Sequence, residues 1–131
     1  MEHPAVRHQF VSSPRAPRPV GPYAPAVKLG HIIYCSGQVG VDPETVHLAE
    51  GLEAQVRRIF ANLGALLVDA GSCLGQVVKT TVYLTDMDDF PAFNALYAEC
   101  FAGHTPARTT VQVSRLPLGA AVEIEAIAYV G

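Results

Sequence analysis

Between Leu52 and Leu67 the apolar residues Leu52, Val56, Ile59, Phe60, Leu63 and Leu67 fall at steps of 4, 3, 1, 3 and 4. That is the stripe of an amphipathic helix. On both sides of it the period is two. HIIYCS at 31–36 and QVVKTTVYL at 76–84 are rich in β-branched and aromatic residues, and ARTTVQVS at 107–114 and AVEIEAIAYV at 121–130 alternate as strands do. A chain that changes period in this way has to lay helix against sheet.

The helix is predicted from about Leu48 to Asp69, closed by Gly71. Asp86, Asp88 and Asp89 ahead of Phe90-Pro91 signal a second helix, with acidic groups at the favourable end of its dipole. Phe93, Leu96, Tyr97 and Phe101 form its stripe, and Gly103 ends it. The strand at 31–36 is expected to stop at Gly37, and Asp42-Pro43 marks a turn. Residues 1–26 hold Pro4, Pro14, Pro17, Pro19, Pro22 and Pro25, which predicts an extended arm without an interior helix. Within it HQFV, 8–11, can pair as an edge strand, and Gly21-Pro22-Tyr23 presents an aromatic at a turn. The expected order is β-β-α-β-α-β-β in a single domain over 1–131. It describes an α+β sandwich, a mixed sheet with two helices on one face. The bare face calls for a partner, most simply another subunit.

Composition narrows what such a domain can do. Half of the 131 residues are hydrophobic and 16% are charged, nine basic against twelve acidic, for a net charge of −3. This is not a disordered chain, nor one built to neutralise a phosphate backbone. With roughly 25% charge usual in a soluble domain, there is little here to cover a monomer, and an oligomer is expected. Cys35, Cys73 and Cys100 make an odd set without a CxxC pair, and read as reduced, buried small side chains. The first residues lack the apolar run of a signal peptide, and no stretch approaches a membrane span. A cytoplasmic setting is expected. There is no HExxH, phosphate loop, nucleophile elbow or dinucleotide fingerprint, and His3, His8, His31, His47 and His104 are scattered, so neither metal nor cofactor is expected.

Chemistry concentrates in residues 107–130, read as a hairpin. Alternation puts Arg108, Thr110, Gln112 and Ser114 on one face of the first strand, and Glu123 and Glu125 on one face of the second. If register joins those faces, a guanidinium and two carboxylates share the sheet surface. One reading is a cross-strand ion pair that satisfies partly buried charge. The other is a site, in which an arginine fork takes a substrate carboxylate and a glutamate handles water and protons. Tyr23 and Asn94 can add neutral hydrogen bonds, or serve as an interface aromatic and a helix-surface amide. Ser36 beside Gly37 is a weaker candidate and reads locally as a turn residue.

Four segments in order resemble the RidA/YjgF family of reactive-imine deaminases: SSPRAPRPVGPYAPAV, IIYCSGQVGVDPET, VVKTTVYLTDMDDFPAFNALYAECF and PARTTVQVSRLPLGAAVEIEAIAYV. The resemblance implies a chorismate-mutase-like fold, a homotrimer with sites between subunits, and hydrolysis of 2-iminobutanoate and 2-iminopropanoate to 2-oxo acids and ammonia without metal or cofactor. It assigns carboxylate binding to Arg108 and the proton relay to Glu123. Tyr23, Asn94, Ser36, Gly37 and Thr110 border the cleft, with Thr110 where some members have cysteine. The chain departs from the family at Ala24-Pro25, where Ser-Gln is common, and at Val46, where glycine is frequent. Three alternatives stand beside this: a non-catalytic trimer that binds small carboxylates, a relative specialised for another imine or carbamate in a degradation pathway, and a nucleic-acid-directed role. The acidic balance speaks against the last.

Overall fold

The computed structural model describes residues 8–131, so His3 and Pro4 of the arm lie outside the described residues. Six strands form one sheet: β1 (His8–Val11), β2 (Ala26–Leu29), β3 (Ile32–Gln38), β4 (Val77–Leu84), β5 (Ala107–Gln112) and β6 (Val122–Tyr129). Their spatial order is β1-β2-β3-β6-β4-β5, and only the β4–β5 pair is parallel. Two helices, α1 (Leu52–Asp69) and α2 (Phe90–Phe101), cover one face.

The stripe read from the sequence is what α1 buries. Val56, Ile59, Leu63, Leu66 and Leu67 are fully enclosed, against Ile33, Val82, Leu84, Val122 and Ile124 of the sheet. Each such side chain contributes about 2 kcal/mol of burial. Phe60 stands edge-on to Tyr97 and Phe101, with ring centroids 5.9 and 4.9 Å away, and so locks α1 to α2. The Asp86 carboxylate accepts the Asp88 N–H at 2.9 Å and caps a short 3-10 turn that leads into α2, with Pro91 in its first turn. Ala102 and Gly103, at φ +51° and +92°, end the helix in the left-handed region.

Three expectations about the strands are corrected. Ala26–Leu29 is a strand that the proline-rich arm concealed, since four residues between Pro25 and Gly30 leave too short a pattern to read. Strand β3 does not stop at Gly37 but runs through it to Gln38, with one extra residue bulged between Cys35 and Gln38 opposite β6. The hairpin over 107–130 does not form, because β4 lies between β5 and β6. The helix α2 works as a crossover that returns the chain in its original direction, so β5 pairs parallel to β4. The chain then passes to the other side of β4 as β6.

The face away from the helices is open. It exposes Ile32, Tyr34, Val111 and Tyr129, with Lys79, Glu123 and Glu125 among them. All three cysteines are free: Cys35 is buried and Cys100 half-buried, whereas Cys73 is exposed, contrary to the buried reading. Among the described residues, no helix is long and apolar enough to cross a membrane.

Candidate active site

Val122 and Ile124 are wholly buried under the helices, so strand alternation turns Glu123 to the open face, opposite Tyr83 of β4. There it meets the β3 bulge. A Cβ on Gly37 would stand 2.8 Å from Cδ of Glu123 and 3.0 Å from its Oε1. Glycine is thus required by the close approach of the carboxylate, and any side chain would displace it. The neighbouring Ser36 fixes the arm: its hydroxyl donates to the Ala24 carbonyl at 2.7 Å and its N–H to that of Pro25 at 2.9 Å. That tie sets Tyr23 into the wall of the Glu123 cleft, with its ring packed near Gly21.

Burial raises the Glu123 pKa, and the charge of Glu125 adds to the effect. Glu125 itself accepts the Tyr83 hydroxyl at 2.6 Å, and this bond is the main reason the tyrosine is pushed up to about 12. Glu123 carries no such bond among the described residues. A half-buried carboxylate with free lone pairs and a raised pKa is suited to accept a proton from water and pass it on.

Arg108 lies elsewhere. On the edge strand β5 it sits opposite Thr80, which is fully buried on the helix side and hydrogen-bonded to the Tyr97 hydroxyl at 2.7 Å. The guanidinium therefore points to the helix face. Its central carbon is 4.8 Å from the ring centre of Tyr97, 5.5 Å from Phe90 and 5.8 Å from Phe93. No carboxylate pairs with it among the described residues. Thr110, two residues on along the same face, has a buried hydroxyl oxygen with no partner, and so has the Oδ1 of Asn94 beside Phe93 on α2. Each unpaired buried group costs about 1–3 kcal/mol. An unpaired arginine fork with two such neighbours suits a small carboxylate and its attendant polar groups.

The predicted residues thus separate into two groups. Arg108, Thr110 and Asn94 stand on the helix side, at the β5 edge, while Glu123, Gly37, Ser36 and Tyr23 stand at the open face. A cross-strand Arg108–Glu123 pair does not exist within one chain, because the strand between them and the opposite facing of the two side chains keep them apart. Sequence reading missed the supports. Gln55 and Asn62 are polar residues buried on α1. Gln55 accepts the Ala121 N–H at 2.8 Å, just ahead of β6, and Asn62 donates to the Val41 carbonyl at 2.8 Å, beyond β3. A Cβ on Gly40 would meet Cα of Gln55 at 2.6 Å, so the same helix turn abuts the chain beyond β3. Two amides in a helix face that is otherwise apolar were the available signal. Among the described residues, no three His, Cys, Asp or Glu side chains stand close enough to hold a metal ion.

A family model described as Endoribonuclease L-PSP matches residues 13–130. The mouse 2-iminobutanoate/2-iminopropanoate deaminase is 44% identical over 128 residues, covering 97% of this chain and 95% of that protein. The crystal structure of RidA from an Antarctic Psychrobacter superposes with a TM-score of 0.91 at 45% identity, over 93% of this chain and 99% of that one. Escherichia coli TdcF with bound serine superposes with a TM-score of 0.90 at 38% identity, over 94% and 99%.

Proposed function

Since the chain belongs to the RidA/YjgF family of imine and enamine deaminases, we propose that it hydrolyses 2-iminobutanoate and 2-iminopropanoate as a cytoplasmic homotrimer with sites between subunits. The observation that carries this reading is the division of the site. One face offers an arginine without a carboxylate partner beside two orphaned polar atoms, and the other offers a free carboxylate of raised pKa. Neither half is a hydrolase alone. A copy whose β5 edge packs against the bare sheet face of the next joins its own Arg108, Thr110 and Asn94 to Glu123, Gly37 and Tyr23 of that neighbour. Burial of Ile32, Tyr34, Val111 and Tyr129 favours that contact.

In this mechanism Arg108 grips the substrate carboxylate through two parallel hydrogen bonds and sets the C=N carbon near Glu123. Glu123 takes a proton from water as its oxygen bonds to that carbon, and the former C=N electron pair becomes the lone pair on nitrogen. The glutamic acid returns the proton to nitrogen. Glu123 then takes the carbinolamine hydroxyl proton and passes it to nitrogen, the C–N bond breaks as C=O forms, and ammonia leaves the 2-oxo acid behind. Positioning and proton transfer suffice, since such imines also hydrolyse unaided. The name of the family model invites a ribonuclease reading. The net charge of −3, with Arg15, Arg57 and Arg58 already paired to acids, favours the small acid instead.

The test is a coupled assay in which a threonine or serine dehydratase generates the imine and 2-oxo acid formation is followed beside a competing nucleophile. Acceleration by the wild type, lost in Arg108→Ala and Glu123→Ala chains of unchanged size in solution, is the expected result. Carboxylate binding without acceleration would leave a binding protein and overturn the hydrolase.

A further inference from the structure

Among the described residues, three that are not glycine have positive φ: Val46 at +62°, Ala102 at +51° and Leu118 at +61°. Ala102 ends α2 and needs no other reason. Val46 and Leu118 have none from packing, for both are large, apolar and mostly exposed, at 62% and 59%. The left-handed conformation is strained for any side chain and most of all for a β-branched one. Both are held there by tight turns. Around Val46, its N–H donates to the Asp42 carbonyl at 2.8 Å, and the Asp42 carboxylate accepts the N–H groups of Glu44 and Thr45 at 2.8 and 3.1 Å. Around Leu118, Gly119 and Ala120 donate to Leu116 and Pro117 at 3.2 and 3.1 Å.

Both strained residues line the cleft that contains Glu123 and Gly37. With Val39 and Val41 they make its wall apolar, and among the described residues Arg18 is the one cation there. We propose that Val46 and Leu118 form a side-chain pocket that selects 2-imino acids with branched aliphatic side chains over 2-iminopropanoate. This rests on the imine-hydrolase reading and names the substrates that the cleft of this chain favours. Strain kept at two exposed positions in one cleft wall has a use only if something apolar is set against them. A hydrophobic pocket discriminates by about tenfold or more per methylene, which sets the scale of the expected preference.

The experiment compares imines made in situ from leucine, alanine and glutamate by amino-acid oxidases, using the full chain, Val46→Gly, Leu118→Gly and, as a control, Val68→Ala on the outer surface of α1. The wild type should favour the leucine-derived imine over the alanine-derived one by at least about tenfold in kcat/KM. Val46→Gly and Leu118→Gly should each reduce that ratio severalfold without lowering the melting temperature or changing the size in solution, since glycine relaxes the backbone. Val68→Ala should leave both values as they are. A ratio unmoved by both glycine variants overturns the proposal. So does a preference for the glutamate-derived imine, which would give the pocket to Arg18, or a loss of assembly with the ratio intact, which would make the two residues an interface. Binding of 4-methyl-2-oxopentanoate and pyruvate, measured by calorimetry, separates the two readings. If no imine is turned over, the hydrolase fails, and the pocket stands only if the wild type still prefers the branched acid and both glycine variants lose that preference.

Discussion

The Cβ that Gly37 lacks would occupy a point 2.8 Å from Cδ of Glu123, so the backbone of β3 forms the floor on which the carboxylate rests. Gly37→Ala should therefore displace the acid rather than unfold the chain. Overpacking at one methyl predicts a loss of about 1–3 kcal/mol in stability. A misplaced catalytic group predicts a loss of about 100-fold in kcat/KM. Denaturant melts and imine turnover read the two separately, and an active Gly37→Ala chain would remove Glu123 from the chemistry.

Because Arg108 and Glu123 face opposite sides of the sheet, their substitutions should complement one another. Arg108→Ala and Glu123→Ala chains are each expected to be inactive. Refolded together in equal amounts, they should recover about one quarter of wild-type activity, the fraction of random interfaces that join two intact groups. Continued inactivity of well-assembled mixtures would show that both groups must come from one chain.

Glu123 also links activity to pH. Its unfolded value is near 4.5 and its folded value is higher, so the folded chain binds the proton more readily. The stability contribution is therefore lost as pH rises from the unfolded value through the folded one, and above that window the charged group is a net burden. Glu123→Gln should be inactive yet no less stable at neutral pH, with the gap in melting temperature closing on acidification. The acid limb of wild-type activity should lie above 4.5, and Glu125→Gln, which removes the neighbouring charge, should move it down.

Thr110 invites a substitution with opposite signs. Its hydroxyl oxygen is buried and unpaired. Thr110→Val removes that liability and should be neutral or stabilising by about 1 kcal/mol. If the oxygen serves the substrate, KM should rise severalfold at the same time. A stabilised variant with unchanged KM would make the hydroxyl a passive feature of β5.

Much of this was legible in the residues, for identifiable reasons. The α1 stripe, the Asp86 and Pro91 start of α2 and the long strand β4 announce themselves because each repeats its period over several turns or pleats. Alternation also assigned Arg108 and Glu123 each to the correct set of neighbours along its own strand. It could not say which strands lie side by side. Nearness in sequence suggested a 107–130 hairpin, whereas the strand-helix-strand run from Val77 to Gln112 holds the parallel crossover that sends β5 to the edge. The bulge at Ser36-Gly37 left no periodic trace, since one inserted residue looks like the end of a strand. Val46 shows in the sequence only as a residue where glycine is frequent, because strain is a property of φ and not of spelling.

β6 follows every other strand in the chain, yet it pairs with β3 on one side and β4 on the other. While the polypeptide is being made, β1–β3 and β4–β5 share no sheet hydrogen bonds until residues 122–129 have left the ribosome. The segment that welds the halves also carries Glu123. A nascent or truncated chain therefore exposes two sticky part-sheets and needs shielding from aggregation, but it never displays the carboxylate in working position.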